Sequence, residues 1–272
     1  MSVKQDGAGR RFVQAEVEVI GTPEEVWQAI ATGPGVSSWF VPTDVETDDA
    51  GAPVRIISHF GPGMDSVAVP VAWDPPHRLA AESRDLGPDA PPVATEWLVE
   101  ARAGGVCVVR VVHSLFTSSD EWDDQLEEIE AGWPDFFRIL RLYLEHFRGQ
   151  PCTMLPLMGV ASESAPQAWS ALTDALGLAS ATTGERRSAP SDAPPLAGLV
   201  VPSGDGAQLL LRLDAPIPGI AHLFALATGG MVIVSLRLFL YGDQAAAVVA
   251  RDEAAWHSWM SQRFPSPDSP AA

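Results

Sequence analysis

From Arg11 to Ile20 the chain alternates, with Val13, Ala15, Val17 and Val19 apolar and Gln14, Glu16 and Glu18 polar. A period of two puts one set of side chains on each face and predicts a half-buried β-strand. Thr22-Pro23-Glu24-Glu25 then supplies an N-cap hydroxyl, a proline preset for the first turn, and a glutamate able to reach back to the cap's amide. A helix carrying Val26, Trp27 and Ile30 is expected there. Gly33-Pro34-Gly35 is expected to end it, leaving room for one short second helix over 36–40 before Pro42.

Between 43 and 116, short extended segments alternate with turn chemistry at 48–53, Gly61-Pro62-Gly63, Asp74-Pro75-Pro76, 87–92 and Gly104-Gly105. The pattern predicts an antiparallel meander of about six strands. Val93, Thr95, Trp97, Val99 and Ala101 share one face of one such strand, while Glu96, Glu100 and Arg102 share the other with Leu98, so the sheet has a covered side and a wet side. Ser118-Ser119-Asp120-Glu121 repeats the capping pattern ahead of Trp122, Leu126, Ile129, Trp133, Phe136, Phe137, Leu140, Leu144 and Phe147, spaced by threes and fours. This is a long amphipathic helix suited to cover the apolar face. Its first turns are acidic and its last turns basic, as the helix dipole favours, and Pro134 is expected to bend it without breaking it.

The second half repeats the opening in weaker form. Ser164-Ala165-Pro166-Gln167 caps a helix with one Trp, Trp169, and after a Pro- and Ser-rich stretch, strands are expected at 198–201, 208–213, 220–226 and Met231–Tyr241. A closing helix from Asp243 carries Val248, Val249, Trp256, Trp259 and Met260. The expected organisation is therefore a domain over 1–150, a shortened copy over 151–264 and a disordered tail over 265–272.

Charge narrows the partners. With 35 Asp and Glu against 17 Lys and Arg, the formal charge is −18, which disfavours nucleic acid and anionic membrane surfaces, because binding either needs clustered cations. The most apolar stretch, 221–241, is interrupted by His222, Gly229-Gly230 and Arg237, and so predicts two buried strands and no membrane span. No signal peptide precedes the first strand, and Cys107 and Cys152 form no CxxC pair, so a cytoplasmic protein is expected. No HExxH, GxSxG, Walker A or GxGxxG run occurs and no histidines stand at metal-ligand spacing; neither a metal nor a cofactor is expected.

The segments VEVIGTPEEVWQAIATGPGVSSWFVP at 17–42, WDPPHRLAAE at 73–82, TEWLVEARAGGVCVVRVVHSLF at 95–116 and AGWPDFFRILRLYLEHF at 131–147 resemble SRPBCC (START-like) proteins of the AHSA1 type, the activator of Hsp90 ATPase homologue group. The resemblance covers nearly all of 10–148. It implies an α+β helix-grip fold, a curved antiparallel sheet wrapped around a long C-terminal helix with an apolar cavity between them, here in tandem. It implies as partner a small hydrophobic or aromatic molecule. Trp39, Phe40, Trp73, Trp97, Trp133, Phe136 and Phe137 come from elements that border such a cavity, and each is equally a core-packing residue.

The strand 106–116 puts His113 on one face with Cys107, Val109, Val111 and Leu115, where it either orients a ligand or is a neutral histidine satisfied by one neighbour. His59 is a second polar candidate, and an exposed strand face explains it as well. Three readings stay open: ligand binding without catalysis, an aromatase- or cyclase-like enzyme using His113 as acid or base, and a chaperone-interaction module of the kind the family's name implies. The second domain is a structural partner packed on the first, or a lid over it.

Overall fold

The computed structural model describes residues 3–7, 9–61, 63–84, 86, 87, 90–117, 119–204 and 206–265. The chain divides into two compact units, Met1–Gly149 and Gln150–Ala272. The tail expected to be disordered lies, from 266 onward, outside the described residues, as do Pro62 and Ser118.

In the first unit β1 (Lys4–Gln5) and β2 (Arg11–Ile20) precede the helices α1 (Pro23–Ala31) and α2 (Gly33–Ser37). The meander follows as β3 (Thr43–Thr47), β4 (Pro53–His59), β5 (Asp65–Asp74), β6 (Arg78–Ser83), β7 (Val93–Arg102) and β8 (Val106–Leu115), and α3 (Asp123–His146) closes the unit. The sheet order is β1-β2-β8-β7-β6-β5-β4-β3, antiparallel throughout, so β2 lies beside the last strand of the meander. Helix α3 packs on β2 and β8 at that junction. This is the helix-grip arrangement. The six meander strands and β2 fall where the sequence pattern places them, and the short β1 was not expected.

Two helix boundaries differ from expectation. Gly33-Pro34-Gly35 does not follow the first helix as a break but forms the body of α2. Thr32 explains the shift: its extended backbone ends α1, and its hydroxyl accepts from the Gly35 amide as the N-cap of α2, with Pro34 tolerated in a first turn. The long helix starts at Asp123, and Trp122 holds its N-cap position without a side-chain hydrogen bond. The Ser119 hydroxyl accepts from Glu121 in a separate turn before the helix. Asp123 is instead the anchor, gripped through both carboxylate oxygens by Arg11 of β2. Pro134 sits within a helix that runs unbroken from Asp123 to His146.

Gly35 is where α1 and α2 meet. A Cβ there would stand 1.8 Å from the Gln28 carbonyl oxygen and 2.7 Å from the Thr32 hydroxyl, both in or at the end of α1. A methyl group can be accommodated only by moving α2, which leads directly to Trp39 and Phe40. Gly35→Ala is expected to cost about 1–3 kcal/mol of stability, the range for overpacking a tight site. Unchanged protection of the α1 and β3 amides in hydrogen exchange would show that the helices part freely.

The second unit has the same plan with one meander strand fewer. β9 (Cys152–Ala161), which the sequence reading passed over, is followed by a single helix α4 (Ala165–Ala175). Then come β10 (Arg186–Ser188), β11 (Ala197–Val201), β12 (Gln208–Ala215), β13 (Gly219–Thr228), β14 (Met231–Tyr241) and α5 (Ala245–Arg263). The order β10-β11-β12-β13-β14-β9 again sets the first strand beside the last. Helix α5 packs on β9 and β14, and Leu157, Leu172, Leu223, Leu236 and Trp256 lie in a continuous apolar core. The apolar stretch at 221–241 is accounted for by β13, a Gly229-Gly230 turn and β14. Among the described residues no helix is long and apolar enough to cross a membrane, and both cysteines are free.

Candidate functional site

The first unit encloses a cavity of about 770 Å³. Its walls come from three sources: α1 and α2 with the residues after them (Ile30, Val36, Trp39, Phe40), the inward face of the meander (Ile56, Ala68, Leu79, Ala81, Val93, Thr95, Trp97, His113), and α3 (Ile129, Gly132, Trp133, Phe136). The pleat dictates the sheet contribution. Successive side chains alternate faces, so Val93, Thr95 and Trp97 of β7 point inward together, as do Val109, Val111 and His113 of β8. The helix contributes positions 129, 132, 133 and 136, which share one face at 3.6 residues per turn. Phe60 and Met64 line the cavity yet are 43% and 54% exposed, and so mark its mouth.

Trp133 is the centre of the aromatic wall. Its ring stacks on Phe40 with centroids 5.5 Å apart, meets Trp97 edge-on at 5.0 Å and lies 5.4 Å from Phe137. Phe40 in turn meets Phe136 at 4.5 Å and Phe60 at 5.7 Å, both edge-on. Trp39, fully buried, meets Trp97 at 6.1 Å and donates its indole N–H to the Ala29 carbonyl at the end of α1. Six of the expected residues therefore line one cavity: Trp39, Phe40, Trp97, His113, Trp133 and Phe136.

Three are not among its lining residues. Phe137 lies behind Trp133 in the core, 3% exposed. Trp73 meets Trp27 of α1 edge-on at 5.5 Å. His59 sits at an exposed position of β4 and holds two carboxylates, Asp65 at 2.9 Å through Nδ1 and Asp44 at 3.1 Å through Nε2. Those hydrogen bonds, Asp65 first, raise its pKa above the ordinary histidine range.

His113 is buried in the wall with both ring nitrogens engaged. The Trp133 indole N–H donates to Nε2 at 2.8 Å, and Nδ1 lies 3.0 Å from the Thr95 hydroxyl. An indole nitrogen is a donor only, so Nε2 must be the bare, accepting nitrogen. In the neutral ring Nδ1 then carries the proton and donates to Thr95 Oγ1. Burial pushes the His113 pKa down to about 4, which keeps the ring neutral at physiological pH. This is a histidine satisfied from both sides, one partner more than the sequence reading allowed. Among the described residues no cluster of metal-ligating side chains occurs.

Thr95 was visible in the sequence only as one position on the inward face. The signal that finds it is the hairpin register: Arg102 pairs with Val106 around the Gly104-Gly105 turn, and counting back along both strands sets Thr95 opposite His113.

Residues 21–145 match the family model described as "Activator of Hsp90 ATPase homolog 1-like protein". No curated protein matches the chain. Among solved structures, the di-domain ARO/CYC BexL from the BE-7585A biosynthetic pathway is similar over 96% of this chain and 99% of its own, at 14% identity and a TM-score of 0.45. DynU16, from the dynemicin biosynthetic locus, matches over 92% and 96% at 18% identity and 0.41. CalU16 from Micromonospora echinospora matches over 53% and 83% at 16% identity and 0.41. At these identities and scores none of them bears on function here.

Proposed function

The first unit belongs to the family of activator of Hsp90 ATPase homolog 1-like proteins, and from that premise we propose that it binds a small hydrophobic, largely aromatic molecule in its cavity without transforming it. The observation that carries this reading is the cavity itself. Its volume of about 770 Å³ lies in the range that accommodates a drug-sized ligand, and its lining is apolar and aromatic with a few polar groups. Flat aromatic surfaces offered by Phe40, Trp97, Trp133 and Phe136 would stack on a planar guest, and burial contributes roughly 25 cal/mol for each square ångström of apolar surface removed from water.

The chemistry of His113 favours binding over turnover. A general acid or base needs a ring nitrogen within reach of the substrate, and here Nε2 is taken by Trp133 and Nδ1 by Thr95. The test is native mass spectrometry of gently purified full-length protein, with solvent extraction of whatever is released and titration of 2-acetylnaphthalene against the tryptophan fluorescence. A discrete small-molecule adduct, or saturable one-to-one quenching by the probe, is expected. Apoprotein alone, together with no saturable quenching, would overturn the reading.

A further inference from the structure

The hydrogen bonds around His113 have a direction, and the direction ends in the cavity. Trp133 can only donate, so His113 Nε2 accepts and Nδ1–H donates to the Thr95 oxygen. The Thr95 hydroxyl thereby has one lone pair occupied while its own hydrogen remains to be given away, and among the described residues no acceptor is placed against it. Thr95 lines the cavity, so the cavity is the side from which an acceptor can reach that hydroxyl. Along β7 it is flanked by Val93 and Trp97, and across the sheet its neighbours are His113 on β8 and Ala81 on β6, whose short side chain leaves room beside the hydroxyl.

The geometry points to a ligand with an acceptor oxygen, a ketone, quinone or related carbonyl on an aromatic frame, seated so that the Thr95 hydroxyl donates to it. This rests on the cavity-binding reading above and sharpens it from shape to chemistry. A ligand that offered a donor there would leave the hydroxyl hydrogen unmatched in an apolar wall, and a hydrocarbon would leave it equally unmatched. An acceptor atom completes the chain from indole through imidazole to hydroxyl, a role that the exposed lone pairs of a carbonyl oxygen fill without adding a donor of their own, and each bond polarises the next. Thr95 is thus a specificity-determining residue, with His113 and Trp133 as the positioning residues that fix which way it donates.

Two probes of nearly equal shape separate this from simple apolar binding: 2-acetylnaphthalene, which carries the carbonyl, and 2-ethylnaphthalene, which does not. Titrated into the full-length protein, the ketone is expected to bind about five-fold more tightly than the hydrocarbon, the ratio one net hydrogen bond supports. In Thr95→Val the ratio is expected to fall to about one, and in Thr95→Ser, which restores the hydroxyl, to recover. Trp133→Phe removes the donor that fixes the tautomer and is expected to lower the ratio while leaving an aromatic wall. Equal affinity of the wild type for both probes, or a ketone preference that survives in Thr95→Val, would overturn the inference while the cavity reading stands. Binding of neither probe would overturn the inference, and the cavity reading with it where the purified protein also carries no small-molecule adduct.

Discussion

Replacing Trp133 with alanine is expected to lower the stability of the first unit by about 3–5 kcal/mol, the usual range for removing a large buried aromatic side chain. Two losses coincide at this position. The ring is 7% exposed and touches Phe40, Trp97, Phe136 and Phe137, so truncation opens a hole between α3 and the sheet which neighbouring rings only partly fill. Its N–H also satisfies His113 Nε2, which would be left as a buried acceptor without a donor. Trp133→Phe keeps most of the volume and loses the donor, so it should fall well short of the alanine variant. Native-state hydrogen exchange on the β7 and β8 amides of the full chain reads the first unit by itself. A Trp133→Ala protein with opening free energies within about 1 kcal/mol of wild type would show that the ring is surface packing and not the keystone of the wall. The same variant should bind 2-acetylnaphthalene more weakly, since the face on which the guest stacks is gone.

The fold of the first unit was legible because its signals are local and mutually consistent. Alternation over Arg11–Ile20 gave β2, turn residues spaced the meander, and the three-and-four spacing across 122–147 gave α3. Where the reading slipped, a side chain served two elements at once. Thr32 ends α1 and caps α2, so Gly33-Pro34-Gly35 became helix where composition alone reads as a break. Asp123 was claimed by Arg11, over a hundred residues away in sequence, and no local capping pattern reports that. In the second unit β9 was missed because Cys152–Ala161 has no clean alternation: Pro156 and Gly159 interrupt it, and the strand is specified by pairing with β14.

The site was legible in part for the same reason. The family resemblance implied the cavity, and inward parity on β7 and β8 with helical spacing on α3 put Trp97, His113, Trp133 and Phe136 on faces of elements that border it. Parity cannot say whether a residue stands at the cavity surface or one layer behind it, and Phe137, one position past Phe136, fell behind. Nor can it say what a histidine at the end of a strand finds outside, and His59 found Asp44 and Asp65.

Acidification is expected to weaken the first unit through His113. Burial sets its folded pKa at about 4 against an ordinary 6.5, so between those values the unfolded chain binds a proton that the folded protein refuses. The contribution is fully present above pH 6.5, and it is lost progressively as pH falls through that window towards 4. The shift corresponds to about 3 kcal/mol. Protonation has a structural consequence as well. A cationic ring donates from both nitrogens, so Nε2–H would face the indole N–H of Trp133 donor to donor, and the chain that ends at Thr95 would break at its first link. Other groups titrate over the same range, so the expected result is a difference. Between pH 7 and pH 4, urea unfolding of the wild type should lose about 3 kcal/mol more than that of His113→Phe, which has nothing to protonate. Two variants that weaken in parallel would mean that His113 takes its proton within the folded wall. The link from Trp133 would then be lost in the weakly acid range, while Nδ1–H of the imidazolium would still donate to Thr95.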